Sequence, residues 1–202
     1  MHRFSLTLMS TALVWSLTAP AAAEFRTFRL DPEHTSIGFM IQHLTFADVL
    51  GMFTEVEGSF RFDEAAPAVE GVAIVVRAGS IFTNHRGRDR HLRSADFLDA
   101  RRHPTIVFTG REAVPTGPRT GTITGDLTLL GVTREVTFDL VLNDAGRYPF
   151  DPTGGDDPPY VVGVSARATL NRSDFGMTYA LEPPLVGDEV RLSIEFEAIR
   201  ED

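Results

Sequence analysis

The chain has 202 residues, of which 28 are acidic and 19 are basic, and its formal net charge is −9. This acidity argues against a general nucleic-acid binder, because a phosphate backbone requires a basic surface. Cys and Lys are both absent, which excludes disulfides, Cys-ligated metal centres, thiol catalysis and Schiff-base chemistry.

The first 23 residues have the layout of a secretory signal peptide. A short positive start at residues 1–3 precedes a mostly apolar run over residues 4–17, and three alanines at 21–23 supply a cleavage site. Polar side chains interrupt this run, so it is too short for a membrane-spanning helix. We predict a cleavable signal peptide over residues 1–23, one folded domain over residues 24–202 and a periplasmic location.

After the signal peptide, apolar and polar residues alternate in segment after segment, which is typical of strands with one buried face. In chain order, the strand candidates cover residues 25–30, 35–44, 52–63, 72–83, 105–114, 122–129, 135–142, 160–171 and 190–197. The one convincing helix lies within residues 88–101 and is stopped by Pro104. Residues 144–159 are rich in Asp, Gly and Pro and predict a long surface loop.

Short connections between these strands favour antiparallel neighbours, as at the Leu130-Gly131 turn. About nine such strands must either stack as a sandwich or close as a barrel. The chain has 15 Phe and only 3 Tyr, and many of the Phe residues fall on inward faces. A barrel of eight strands can hold one small ligand against such a lining, whereas the alternative is that these rings fill a dry core.

Residues that could carry chemistry are sparse. The five histidines after residue 23 do not place two imidazoles on one strand or helix face, so no metal site is predicted. No Gly-x-Ser-x-Gly sequence occurs, and the Asp156-Asp157 pair lies in the predicted loop. The sequence therefore predicts no catalytic residue, no metal and no cofactor.

Residues 85–103, which we call the Arg-rich connector, carry six Arg against three Asp in an otherwise acidic chain. One interpretation is that they receive an anionic headgroup at a cavity mouth, with Arg88, Arg90 and His91 as the candidates. The other is that the Arg residues pair with the connector's own Asp residues and keep it soluble.

Several motifs follow one another along the chain: residues 31–39 (DPEHTSIGF) with 42–44 (QHL) and 51–53 (GMF), 88–99 (RDRHLRSADFLD) with His103-Pro104, 125–136 (GDLTLLGVTREV), 171–177 (NRSDFGM) and 186–190 (VGDEV). In this order they resemble the motifs of the YceI-like family of periplasmic lipid-binding proteins. The resemblance extends from about residue 25 to the end of the chain. The long loop at 144–159 departs from the family's short turn.

This resemblance implies an all-β fold, a lipocalin-like extended eight-stranded antiparallel barrel with one short connecting helix, whose apolar interior holds a long isoprenoid chain. It implies no catalytic residue. From strand parity, with the helix near one end, we expect the following residues to bind ligand: Phe39, Ile41, Phe60, Ile74, Val76, Leu92, Phe97, Phe108, Leu127, Leu129, Phe138, Leu140, Val164, Leu192, Ile194 and Phe196.

The leading hypothesis is a carrier that encloses a polyisoprenoid, quinone-type or similar long-chain lipid and is not an enzyme. Two alternatives are a stress-response interaction module without ligand and an enzyme that uses His34, His43 or His91 on a lipid substrate. We expect no nucleic-acid partner and no stable membrane insertion, while exposed strand edges would allow a homodimer.

Overall fold

The structure is a computed structural model that describes residues 24–65 and 68–201, and the predicted signal peptide lies outside them. The strands in these ranges are β1 Arg26–Leu30, β2 Ser36–His43, β3 Ala47–Phe53, β4 Val56–Asp63, β5 Ala68–Arg77, β6 Ile81–Phe82, β7 Thr105–Pro115, β8 Thr120–Leu129, β9 Val132–Arg147, β10 Tyr160–Asn171 and β11 Val186–Arg200. The helix α1 covers Arg86–Leu92, and 3₁₀ turns cover Ala78–Ser80 and Arg172–Phe175.

The strands form one antiparallel sheet that closes on itself. The order β1-β4-β5-β7-β8-β9-β10-β11 returns to its start because β11 also pairs with β1. The long strand β11 pairs with β1 near its end and with β2 nearer its beginning, and β3 and β6 continue this upper part of the wall. The predicted fold class, a closed eight-stranded antiparallel barrel with a short connecting helix, is confirmed for the described residues.

Two of the predicted strands are each broken in the structure. The segment predicted as 52–63 belongs to β3 and β4, which are separated at Thr54 and Glu55. The hydroxyl of Ser80 accepts hydrogen bonds from both backbone N–H groups at this break, at 3.2 and 3.1 Å. The 3₁₀ turn that holds Ser80 divides the other strand, predicted as 72–83, into β5 and β6.

The predicted loop at 144–159 and the predicted helix within 88–101 need correction. Strand β9 continues to Arg147, because Asp144 and Arg147 pair with Gly163 and Tyr160 beyond a bulge at Asn143 of β9, so the loop covers residues 148–159. Helix α1 begins earlier than predicted, where the His85 side chain accepts a hydrogen bond from the Arg88 backbone, and ends at Leu92.

The two ends of the barrel differ. At the upper end lie the β2–β3 turn, the β8–β9 turn, the Arg-rich connector and residues 172–185. At the lower end, next to the β7–β8 and β9–β10 connections, aromatic rings pack in the interior. Phe28 is fully buried, stacks on Phe60 at 5.7 Å and meets Phe62 edge-on at 6.1 Å. The interior is therefore packed below and lined rather than filled above.

Candidate functional site

A cavity of about 670 Å³ occupies the barrel interior. All sixteen residues that parity predicted to bind ligand border it, although ligand contact itself stays a prediction. They lie together because inward positions on every strand recur at every second residue, as Leu192, Ile194 and Phe196 do on β11. Apolar side chains form nearly the whole wall.

Further wall residues lie outside the regular strands and could not be found by parity. Tyr179, Ala180 and Leu185 belong to the segment between β10 and β11 and border the upper end of the cavity. The backbone N–H of Leu44 donates to the carbonyl of Leu185 at 2.9 Å, which joins this segment to the β2–β3 turn. The rim of the cavity is therefore built largely from two connections, the Arg-rich connector and the segment between β10 and β11, together with strand ends such as His43 and Val186.

Of the three headgroup candidates, Arg88 and His91 border the cavity and Arg90 does not. The helical period explains the difference, because positions three apart share a face of α1 while Arg90 points elsewhere. The Arg88 guanidinium donates to the hydroxyl and the carbonyl oxygen of Thr83, each at 2.7 Å. It is therefore held at the rim by the residue that follows β6.

His91 connects α1 to the segment between β10 and β11, residues 172–185. Its Nε2 lies 2.9 Å from an Asp96 carboxylate oxygen. Its ring meets Phe97 and Tyr179 edge-on, with centroids 5.0 and 5.3 Å away. A polar tip is thus set in an aromatic rim at the upper end of the cavity.

Arg172 is a cavity-wall residue that the sequence analysis missed as a functional candidate. Its side chain is buried, with the residue 1% exposed, and donates to the carbonyls of Gly187, Met177 and Val186 at 2.7, 2.8 and 2.9 Å. Burial lowers the pKa of this guanidinium, and the charge of Asp188 partly offsets that effect. Arg172 thus connects the two ends of the segment between β10 and β11. The sequence feature that could have identified Arg172 is its position directly after an apolar strand, within the 171–177 motif.

The connector's charges are only partly neutralised. Asp89 accepts hydrogen bonds from Thr83, Asp96 contacts His91, and Asp99 lies 3.4 Å from Arg102. The Asp89 carboxylate also interacts electrostatically with Arg93 and Arg88. In the described part of the chain, no ion pair is made by Arg86, Arg90 or Arg101. The self-pairing interpretation thus holds for only part of the connector, and positive charge remains on the helix side of the upper end.

A separate group of titratable side chains lies beside the break between β1 and β2. The His34 Nδ1 is 2.6 Å from Asp31 and 3.8 Å from Glu197, and the three can offer ligand atoms within 4.8 Å of one another. The hydrogen bond with Asp31 raises the pKa of His34. None of the three borders the cavity, whereas His43 and His91 do. The histidines of the enzyme hypothesis therefore do not form one site.

Comparison with known proteins agrees with this architecture. The family model described as YceI-like domain matches residues 28–198. A UPF0312 protein of Pseudomonas paraeruginosa is 38% identical over 197 residues, which is 96% of this chain and 98% of the relative. Among the described residues, no helix is long and apolar enough to cross a membrane.

Two solved structures share the fold. Burkholderia cenocepacia BcnA aligns with a TM-score of 0.72 at 17% identity, covering 83% of this chain and 98% of its own. A polyisoprenoid binding domain from Saccharophagus degradans aligns with a TM-score of 0.63 at 12% identity, covering 88% of this chain and 99% of its own. Together with the barrel, its apolar cavity and the family match over most of its length, these similarities show that the chain belongs to the YceI-like domain family.

Proposed function

We propose that this protein is a periplasmic carrier that encloses the tail of a polyisoprenoid, quinone-type or similar long-chain lipid inside its barrel. The observation that carries the proposal is the cavity of about 670 Å³, whose wall is almost wholly apolar. The Arg and His side chains that border it, Arg88, Arg172, His43 and His91, all lie at the upper end. Such a polarity gradient matches a molecule with one long apolar tail and one polar head.

The physical chemistry of the wall supports a tail rather than a polar ligand. A polar ligand in the lower cavity would lose its hydrogen bonds to water and find few partners there. An apolar chain gains roughly 25 cal/mol for each Å² that it removes from water. Binding of a lipid tail therefore needs no reacting groups. The polyisoprenoid binding domain with the same fold supports an isoprenoid as the first candidate.

The headgroup is assigned to the upper rim. Arg88 is held there by Thr83, and His91 is held by Asp96 and two aromatic rings. The Arg88 guanidinium can donate hydrogen bonds to a phosphate or a quinone oxygen. Arg90 takes no part in this assignment, because it does not border the cavity.

The proposal assigns no reaction to the protein, since the family and the structural neighbours are barrels of the binding-protein type. The periplasmic part rests on the signal-like sequence of residues 1–23. It is tested separately by cell fractionation. A chain that stays in the cytoplasm with residues 1–23 attached would contradict that part alone.

Extraction of the purified protein into organic solvent, followed by mass spectrometry, tests lipid binding. We expect one long-chain lipid for each barrel, and we expect delipidated protein to take up a prenol with the same stoichiometry. Protein that emerges empty from membrane-containing cells and takes up no prenol, quinone or fatty acid would favour the interaction module instead.

A further inference from the structure

A second, smaller apolar space lies below the main cavity. Its volume is about 110 Å³, and it lies directly above the β7–β8 turn, between that turn and the inner faces of β4, β5, β9 and β10. Phe62, Leu142 and Val162 belong to its wall, together with turn residues between Ala113 and Thr122. None of the rim residues borders it.

Four inward side chains border both spaces and therefore form the layer between them. They are Phe60, Val69, Leu140 and Val164. Phe60 is the largest of the four. Its ring stacks on Phe28 at 5.7 Å and meets Phe196 edge-on at 6.1 Å, so neighbours hold it on two sides.

We propose that Phe60 is the end-stop of the tail site and that the smaller space is a closed-off extension of it for the last units of a hydrocarbon chain. The inference rests on the proposed function, because a tail must first enter from the rim. A tail that descends through the main cavity meets the Phe60 ring before it reaches the lower space.

The end-stop limits the length of tail that the barrel can bury. The Phe60 ring packs against two other rings, so moving it aside would break contacts with both. A longer tail must therefore leave its extra units in water at the rim. Removal of the ring would join the two spaces and allow those units to be buried.

Competition between prenols of different length tests the proposal. Delipidated protein is offered an equimolar mixture of farnesol, geranylgeraniol and solanesol, and native mass spectrometry counts each complex. We expect Phe60→Leu and Phe60→Ala to raise the ratio of solanesol-bound to farnesol-bound protein by about tenfold or more, since each additional buried unit adds transfer free energy.

Phe108 provides the matched control. It is an equally large inward ring, 9% exposed against 7% for Phe60, and it borders the main cavity but not the lower space. Phe108→Leu and Phe108→Ala enlarge the main cavity without opening the layer. We expect them to leave the length ratio within about twofold of the wild-type value, because tails still end at Phe60.

The outcomes are distinct. Equal shifts in the Phe60 and Phe108 variants would overturn the end-stop, because total volume would then govern length. If the wild type binds prenols but the Phe60 variants keep its ratio of solanesol-bound to farnesol-bound protein, the end-stop is overturned and the proposed function is not. Failure of the wild type to take up any prenol would contradict the isoprenoid carrier and the end-stop together. Thermal unfolding checks that each variant is folded. Phe60→Leu still tests the proposal if the larger cavity in Phe60→Ala prevents that variant from folding.

Discussion

The carboxylate of Asp89 accepts both the backbone N–H and the hydroxyl of Thr83, at 2.8 and 2.6 Å. Both residues are buried, and the same hydroxyl accepts a hydrogen bond from the Arg88 guanidinium. The first turn of α1 is thereby joined to the residue that follows β6. This contact fixes the position of α1 at the cavity rim.

Asp89→Ala should therefore loosen the rim and lower stability. It leaves two buried Thr83 donors without their acceptor, and we expect a loss of about 2–3 kcal/mol in the free energy of unfolding by urea. Asp96→Ala, at an exposed carboxylate of the same connector, should cost less than about 1 kcal/mol. Equal costs at the two positions would contradict the role given to Asp89.

Asp89 should also affect acid stability. Burial alone would raise its pKa, but the hydrogen bonds from Thr83 and the charges of Arg93 and Arg88 together outweigh burial and lower the pKa. A lowered folded-state pKa means that this contribution is present above the unfolded value, near pH 4, and is lost as the pH falls through the folded value. Urea unfolding at several pH values should show a weaker decline below pH 4 in Asp89→Ala than in the wild type.

Arg172→Met should destabilise the barrel by about 3 kcal/mol or more. The substitution keeps apolar volume but removes the donors to three carbonyls, which then lie buried without those partners. Hydrogen exchange should increase over residues 177–187 first. Arg167→Met, at an exposed residue that pairs with Glu195, is the control and should change the free energy of unfolding by less than about 1 kcal/mol.

His34 should titrate above its ordinary pKa of about 6.5. The hydrogen bond with Asp31 is the main cause of the raised pKa, and the charges of Asp31 and Glu197 add to it. The ion pair thus contributes stability below about pH 6.5 and loses it as the pH rises through the folded-state value. NMR titration of the imidazole should show this, and Asp31→Asn should return the midpoint towards 6.5. An unchanged midpoint in Asp31→Asn would show that the hydrogen bond with Asp31 does not raise the pKa of His34.

Ala166→Trp should block lipid uptake while the barrel stays folded. Ala166 borders the cavity from β10, so an indole at this position would occupy space assigned to the tail. Thr169→Trp, whose side chain is exposed on the same strand, is the control and should bind prenol normally. Because Trp15 is the chain's only Trp, either variant reports folding through a single indole once residues 1–23 are removed.

The period-two pattern was sufficient to predict the barrel wall. Alternation assigns a face to each residue of a strand, so the inward positions of β2, β8 and β11 followed from order alone. Boundaries were less predictable, because Asp144–Arg147 is Gly-containing and polar yet pairs fully with β10. A partner strand satisfies backbone groups whatever the local composition, and that partner is not visible in the segment itself.

The sequence by itself determined a Cys-free, Phe-rich set of antiparallel strands with one buried face, because those properties depend on composition and on neighbours two residues apart. Only the tertiary structure decided which residues act together. Asp31 and Glu197 meet at the β1–β2 break, Arg172 reaches carbonyls beyond Gly176, and Phe60 lies between two apolar spaces. Each of these contacts joins residues from different strands or connections. Barrel closure, which no local pattern encodes, sets their distances.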